Sequence, residues 1–119
     1  MRKIVINCDY GGFGLSNEAF EEFLKRKGIA YEKVFDKKYE IMHYYQSGHA
    51  NDSEFYLSPY DFYENRDDEN LVAVVEEMGD LANGKYSSLK IVEIPDDVKW
   101  HIGEYDGSEW VAEDHRKWY

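Results

Sequence analysis

The sequence predicts an α+β fold: a mostly antiparallel sheet with a C-terminal three-strand meander and two packed helices. Three observations predict it. Residues 3–28 have the pattern of a buried strand, a glycine-rich turn and an amphipathic helix, and residues 69–83 repeat apolar side chains at helical spacing. Residues 89–112 contain three strand patterns separated by turn signals. With 119 residues and no repeat or linker, we expect a single domain, residues 1–119.

The first strand and helix have clear boundary signals. Residues 4–6 are β-branched and apolar, which is typical of a strand buried on both faces. The helix is expected to begin after Ser16, whose hydroxyl can accept a hydrogen bond from the first turn. Gly28 is suited to the left-handed conformation that ends many helices.

The turn between them is the first candidate site. Three of its four residues from position 11 to 14 are glycine, so the backbone there needs positive φ angles or a close approach by another group. One interpretation is a purely structural turn. The other is an anion-binding loop at a helix N-terminus, although the Lys-Ser/Thr ending of a P-loop and the third glycine of a dinucleotide motif are absent. The residues expected to bind a ligand are Tyr10, Gly11, Gly12, Phe13, Gly14 and Ser16.

The middle of the chain is less regular. Residues 30–40 fit a short strand and an irregular connection equally well. Residues 41–45 and 55–57 are apolar and aromatic, and a polar, glycine-containing loop separates them, so they predict a hairpin with a long loop. For the second helix, Asp67 or Asp68 can provide the N-cap.

The C-terminal segment is expected to form the meander. Its strands are predicted at residues 89–94, 98–103 and 110–112, with a turn at residues 95–97 and a tight hairpin turn at residues 106–107. Alternation in the second of these strands predicts that Trp100 and Ile102 face the helices.

The acidic charge is unevenly distributed. Residues 1–50 hold 8 Lys and Arg against 7 Asp and Glu, whereas residues 51–119 hold 6 against 18. The net charge is therefore near +1 in the first segment and near −12 in the second. Such a field repels nucleic acid and membrane surfaces and favours a partner with a basic surface, although acidity can also serve solubility alone. The sequence leaves open whether the protein forms a homo-oligomer.

A tyrosine-rich segment from residue 39 to 63 is the second candidate site. Tyrosine is enriched in recognition surfaces because it adds amphipathic contact area at low entropic cost. The alternative is that half of these rings fill the core beneath a long loop. The residues expected to contact a partner are Tyr44, Tyr45, Asp52, Glu54, Tyr56, Tyr60, Asp61, Tyr63 and Glu64.

Signals for catalysis or metal binding are weak. Cys8, the single cysteine, could be a nucleophile near a helix N-terminus, but free cysteine is more often buried and inert. The histidines show no metal-ligand spacing, and the adjacent Asp114 and His115 are poor candidates for acid–base catalysis because adjacent residues on a tail seldom have the required geometry. We therefore expect no catalytic residue, metal or cofactor. The apolar runs are too short for a signal peptide or a membrane span, which predicts a cytoplasmic protein.

Two stretches carry a resemblance to a known family: INCDYGGFGLSNEAFEEF and LVAVVEEMGDLANGKYSSLKIVEIPDDVKWHIGEYDGSEWVAEDHRKW. They resemble a family of small uncharacterised proteins encoded by tailed bacteriophages and prophages, and they cover over half of the chain. The most specific segments are IPDDVKW and EYDGSEWVAEDHRKW. The resemblance implies an accessory phage protein acting in the bacterial host cytoplasm, and it implies no chemistry.

Three classes of function follow. The first is a non-enzymatic protein that binds and blocks a host component, such as a defence system, through its acidic tyrosine-rich surface. The second is a protein that sequesters a nucleotide signal, with phosphate held by the glycine turn and bases stacked on tyrosines. The third is a small enzyme using Cys8 or His115. The charge asymmetry favours the first class and the glycine turn favours the second.

Overall fold

The structure, a computed structural model, describes residues 1–58 and 64–113. Over these residues it confirms an α+β fold, with two α-helices and six antiparallel strands. The elements in chain order are β1 Arg2–Asn7, α1 Asn17–Arg26, β2 Tyr31–Asp36, β3 Ile41–Gln46, α2 Glu69–Met78, β4 Leu89–Ile94, β5 Trp100–Tyr105 and β6 Ser108–Glu113.

The strands of the described part form three antiparallel ladders of two. β1 pairs with β4, with Arg2 opposite Ile94 and Asn7 opposite Leu89. β2 pairs with β3, and β5 pairs with β6. Strands β4, β5 and β6 follow one another in an order consistent with the predicted meander. The hydrogen-bonded ladder within it joins β5 to β6, whereas β4 lies along β1.

The core lies between the helices and the β1–β4 ladder. β1 is apolar on both faces because α2 covers one side of it and other chain segments cover the rest, so Ile4 and Val5 are fully buried. The largest buried side chains of the helices are Phe20, Phe23, Leu24, Leu71, Val74 and Val75.

The second helix is shorter than the sequence predicts. Asp68, one of the two candidate caps, begins it: its Oδ1 accepts from the backbone N–H groups of Asn70 at 2.8 Å and Leu71 at 3.3 Å. The α-helix ends at Met78 because Gly79 adopts a positive φ of 56°, and the chain continues as a 3₁₀ turn over Gly79–Ala82. The apolar spacing persists through this turn, which is why periodicity alone extended the helix.

The middle of the chain forms a different hairpin from the predicted one. Strand β3 pairs with residues 31–36 across a four-residue turn, and Tyr56 contributes only a single bridge to Tyr45. Residues 53–55 are a 3₁₀ turn. The local turn is closed by the Asp36 carboxylate, which accepts from the backbone N–H of Lys38 at 2.9 Å. This short connection closes with less entropy loss than the long loop.

The β5–β6 hairpin does not bring its apolar residues onto the helices. Trp100 and Ile102 are half-buried and line a small cavity with Glu64 and Arg66. On the opposite face, the indole of Trp110 covers Gly103, its cross-strand partner. The prediction that Trp100 and Ile102 face the helices is therefore wrong, since this hairpin packs beside β1 through β6 rather than under the helices.

Many of the charges that differ between the two segments pair with each other within the molecule. Basic groups of the N-terminal segment pair with acidic groups around α2 and the β4–β5 turn. These pairs are Met1 amino–Asp96, Arg2–Asp67, Lys3–Glu76, Arg26–Glu77 and Lys27–Asp68. Acidic side chains of α2 are therefore partly neutralised by basic side chains of α1 and β1.

Candidate functional site

The glycine turn is packed against a second turn of the chain. Gly11 and Gly12 have φ angles of 119° and 97°, which confirms the predicted positive φ at Gly12. The backbone N–H of Gly11 donates to the carbonyl of Asp106 at 3.1 Å. A Cβ at Gly107 would overlap the backbone nitrogen of Gly12, so this contact requires glycine at position 107, whereas the positive φ favours glycine at position 12.

The end of the turn is held by hydrogen bonds as well. The Gly14 carbonyl accepts from the Gly84 N–H at 3.0 Å and from the Ser87 hydroxyl at 2.6 Å. Ser16 caps α1 as predicted: its Oγ accepts from the Ala19 N–H at 3.1 Å and donates to the Leu81 carbonyl at 2.6 Å. The single proton of the Ser16 hydroxyl is thus engaged by the Leu81 carbonyl, and donating it to a phosphate would require breaking that bond.

The cleft beside the turn is acidic. It has a volume of about 510 Å³, and its lining combines the turn with three glutamates and one arginine: Gly11, Gly12, Phe13, Glu64, Arg66, Glu104, Gly107 and Glu109. An anion would meet more negative than positive side chains here. The geometry of the turn therefore favours the structural interpretation over the anion-binding one.

Arg66 and Glu109 form a buried ion pair at the back of this cleft. Their two parallel hydrogen bonds measure 2.7 Å and 2.9 Å, and the guanidinium lies 3.7 Å from the ring centre of Phe13. The pair also completes the free edge of β1. The Val5 N–H donates to the Arg66 carbonyl at 2.9 Å, and the Asn7 N–H donates to Glu109 Oε1 at 2.8 Å. This ion pair replaces a strand at that edge.

Asn7 joins the same region from β1. Its Nδ2 donates to the carbonyls of Asp9 at 2.7 Å and Gly107 at 2.8 Å, and its Oδ1 accepts from the Ser88 N–H at 2.8 Å. Sequence reasoning missed Asn7, Arg66 and Glu109. A signal existed only for Asn7, because a buried polar residue that ends an apolar strand requires hydrogen-bond partners.

In the tyrosine-rich segment, Tyr44 is a core residue, which corrects its prediction as a partner contact. It is 3% exposed, and its hydroxyl donates to Glu21 Oε2 at 2.9 Å. Burial and the bond to Glu21 raise the pKa of Tyr44. Burial alone would raise the pKa of Glu21, but hydrogen bonds from Tyr44, Tyr31 and Lys33 lower it. The register of the β2–β3 hairpin puts Tyr44 on the face that covers α1.

Tyr45 and Tyr56 lie on the opposite side of that hairpin. Register places Glu32, Val34, Asp36, Ile41, His43 and Tyr45 on one face, and with Tyr56 they form what we call the outer hairpin face. The Tyr56 ring contacts Tyr45 edge-on with 5.4 Å between ring centres, and its hydroxyl lies 3.3 Å from His43 Nδ1. Three rings thus form a continuous, partly exposed surface.

Asp52 and Glu54 are exposed in the loop that leads to Tyr56. The Asp52 carboxylate accepts from the Glu54 N–H at 3.1 Å and so caps the 3₁₀ turn. Between them and β3, the His49 ring stacks on Phe55 with 3.7 Å between centres. Glu64 is exposed but belongs to the cleft at Arg66, apart from these residues. The predicted contacts Tyr60, Asp61 and Tyr63 lie outside the described residues.

The candidates for chemistry are dispersed. Cys8 is exposed, so the expectation of a buried thiol is wrong: the chain turns outward after Asn7, the last buried residue of β1. Within residues 1–58 and 64–113, no group of three His, Cys, Asp or Glu side chains is placed to hold a metal ion. Asp114 and His115 lie beyond the last described residue.

Comparison with protein-family models found no matching family, and comparisons with curated proteins and with solved structures found no match. In the part of the chain that the structure describes, no helix is long and apolar enough to cross a membrane. The site must therefore be interpreted from its own geometry.

Proposed function

We propose that this protein is a non-enzymatic phage or prophage accessory protein that binds a basic surface of a host protein and blocks it. The observation that carries the proposal is the outer hairpin face, where the rings of His43, Tyr45 and Tyr56 form one surface bordered by carboxylates. A component of a host defence system in the bacterial cytoplasm is the proposed target class. The phage setting rests on the sequence resemblance.

The chemistry of this face matches a basic protein surface. Its rings provide apolar contact area, and the tyrosine hydroxyls provide hydrogen bonds at the same positions. The carboxylates of Glu32 and Asp36 lie on the face, and those of Asp52 and Glu54 lie in the adjoining loop. Lys33 is on the opposite face of β2, where it pairs with Glu21. The side chains directed outward from the two strands therefore include acids and rings but no lysine.

The charge of the whole molecule supports the same partner class. The ion pairs around α2 neutralise many of the basic groups of the N-terminal segment, while the net charge remains −11. Such a field accelerates association with a basic protein and acts mainly on the association rate. Affinity is then determined by the rings at the centre of the contact.

The test is affinity capture of host proteins by the wild-type chain and by the double variant Tyr45→Ser/Tyr56→Ser, with binding kinetics measured on the captured protein. We expect the variant to lose the partner. We also expect the association rate to fall steeply as salt rises from low to physiological concentration, because exposed charges are screened beyond ~10 Å at 0.1 M.

A charge variant and its control sharpen this test. Asp52→Asn/Glu54→Gln should slow association, and asparagine can still cap the 3₁₀ turn. Asp96→Asn/Asp97→Asn removes the same charge from the β4–β5 turn and should have a smaller effect. A small molecule released in stoichiometric amount on denaturation, with no protein retained, would instead establish the sequestering function.

A further inference from the structure

Three exposed tyrosines from three separate segments converge on the glycine turn. Tyr10, Tyr86 and Tyr105 have between 64% and 68% of their surface exposed. Tyr10 directly precedes Gly11, and the Cβ of Tyr86 lies 2.8 Å from where a Cβ of Gly11 would be. Tyr105 precedes Asp106, whose carbonyl is bonded to the Gly11 N–H. Large exposed rings that are grouped, rather than scattered, mark interaction surfaces.

The surroundings of this tyrosine group are negatively charged. Asp9 and Asp106 are exposed next to Tyr10 and Tyr105 in the chain, and Glu64 and Glu104 line the cleft on the other side of the turn. Glu109 is neutralised by Arg66, but among the described residues no ion pair engages Glu64 or Glu104. A basic side chain also lies beside the group: the Nζ of Lys85 is 5.3 Å from the ring centre of Tyr86.

The cleft already holds one guanidinium group, that of Arg66. Arg66 stacks on the ring of Phe13 at 3.7 Å and forms two parallel hydrogen bonds to one carboxylate. Arginine is suited to this combination because its planar group can stack and bond in two places at once, whereas lysine offers a point charge. Tyr10 and Tyr105 are next in the chain to Gly11 and Glu104, which line the cleft, so aromatic rings and carboxylates occur together there as well.

We propose that Tyr10, Tyr86 and Tyr105, with the adjoining cleft, bind an arginine side chain in an exposed segment of a partner protein. The cleft volume of about 510 Å³ is sufficient for such a side chain. The negative charge excludes nucleic acid as the occupant. This surface is separate from the outer hairpin face, so either binding reaction can fail without the other.

The test uses two synthetic peptides of equal length, one alternating arginine with glycine and one alternating lysine with glycine. Isotope-labelled protein is titrated with each, and amide chemical shifts and affinity are recorded. We expect the arginine peptide to bind more tightly, with shifts at residues 9–14, 85–87 and 104–108. Tyr86→Ser and Tyr105→Ser should each weaken binding about three- to fivefold, which is the scale of one exposed cation–π contact.

The matched control is Tyr39→Ser, because Tyr39 is equally exposed but lies in the β2–β3 turn. Glu104→Gln, which keeps an acceptor for the Gly107 N–H, should weaken arginine binding further. Equal affinity for the two peptides would overturn the proposal. So would a loss with Tyr39→Ser as large as with Tyr86→Ser, shifts confined to the hairpin, or no saturable binding.

Discussion

The glycine turn and the β2–β3 hairpin were both candidate sites, and the structure builds them in opposite ways. In the turn, polar backbone groups are engaged by other segments: Gly11 by Asp106, Gly14 by Gly84 and Ser87. In the hairpin, the backbone is paired locally and one face of side chains is directed away from the molecule. Other segments pack closely on the glycine turn, whereas Tyr45 and Tyr56 contact each other on the surface of the hairpin.

The comparison teaches that a glycine-rich turn and an aromatic cluster are ambiguous for different reasons. A glycine-rich turn can bind an anion only if its backbone N–H groups and its capping side chain are not already hydrogen-bonded. Whether they are bonded depends on residues that are distant in the sequence. In an aromatic segment, strand register decides which rings are buried and which are exposed, since successive side chains point to opposite faces. Tyr44 and Tyr45 are neighbours in sequence, yet one is core and the other is surface.

The largest effect should come from the ion pair that anchors the turn region. Arg66→Met leaves Glu109 buried without its partner, and we expect a loss of about 3 kcal/mol in the free energy of unfolding, measured by urea titration. Glu109→Gln keeps an acceptor for the Asn7 N–H and should cost less than Glu109→Leu. The control, Lys3→Met, breaks an exposed pair with Glu76 and should cost under about 1 kcal/mol.

Paired glycine variants test the comparison directly. Gly107→Ala introduces a positive-φ strain and an overlap with the Gly12 backbone, whereas Gly48→Ala, in the loop after β3, introduces a comparable strain into open space. We expect losses of about 3 kcal/mol and about 1 kcal/mol respectively. Equal losses would show that the close approach to Gly12 does not matter, and the structural explanation of the turn would fail.

Sequence reasoning succeeded where local signals determine local structure. The strand at residues 4–6, the cap at Ser16, the positive φ of Gly12 and the α+β class follow from β-branching, hydroxyl capping and the absence of a Cβ. These features depend on a few residues that lie close together in the chain, so they can be predicted from the sequence.

Sequence reasoning failed where the outcome depends on distant partners. Arg66 and Glu109 are 43 residues apart, and nothing in either neighbourhood indicates that they meet at the edge of β1. Tyr10, Tyr86 and Tyr105 converge because the 106–107 turn and the segment at Tyr86 both pack on the glycine turn. The principal partner of β3 was missed because residues 31–36 alternate too weakly to identify them as β2.

Capping provides a smaller contrast between the two regions. Ser16→Ala removes the cap of α1 and also the donor to the Leu81 carbonyl, so we expect a loss of about 1–2 kcal/mol. Asp52→Ala removes the cap of an exposed 3₁₀ turn and should cost less than about 0.5 kcal/mol. Thermal unfolding followed by circular dichroism measures both. A larger loss for Asp52→Ala would mean that the hairpin loop, not the turn, stabilises the fold.

The smallest effect concerns the two faces of the hairpin. Tyr44→Phe removes the hydrogen bond to Glu21, and we expect a loss of about 1 kcal/mol at neutral pH, whereas Tyr56→Phe on the outer face should cost almost nothing. The variants should also differ in acid. The pKa of Glu21 is lowered in the folded protein despite its partial burial, because Tyr44, Tyr31 and Lys33 donate to it.

A lowered folded-state pKa means that the stabilisation from Glu21 is complete above the unfolded-state pKa of about 4.3 and is lost as pH falls through the folded-state value. Tyr44→Phe removes one of the donors, so the pKa of Glu21 should rise towards its ordinary value and the acid-dependent loss of stability should shrink. Urea titrations of wild type, Tyr44→Phe and Tyr56→Phe between neutral pH and about pH 3 measure this. An unchanged pH dependence in Tyr44→Phe would show that Tyr31 and Lys33 alone hold the carboxylate, and Tyr44 would then be buried for packing only.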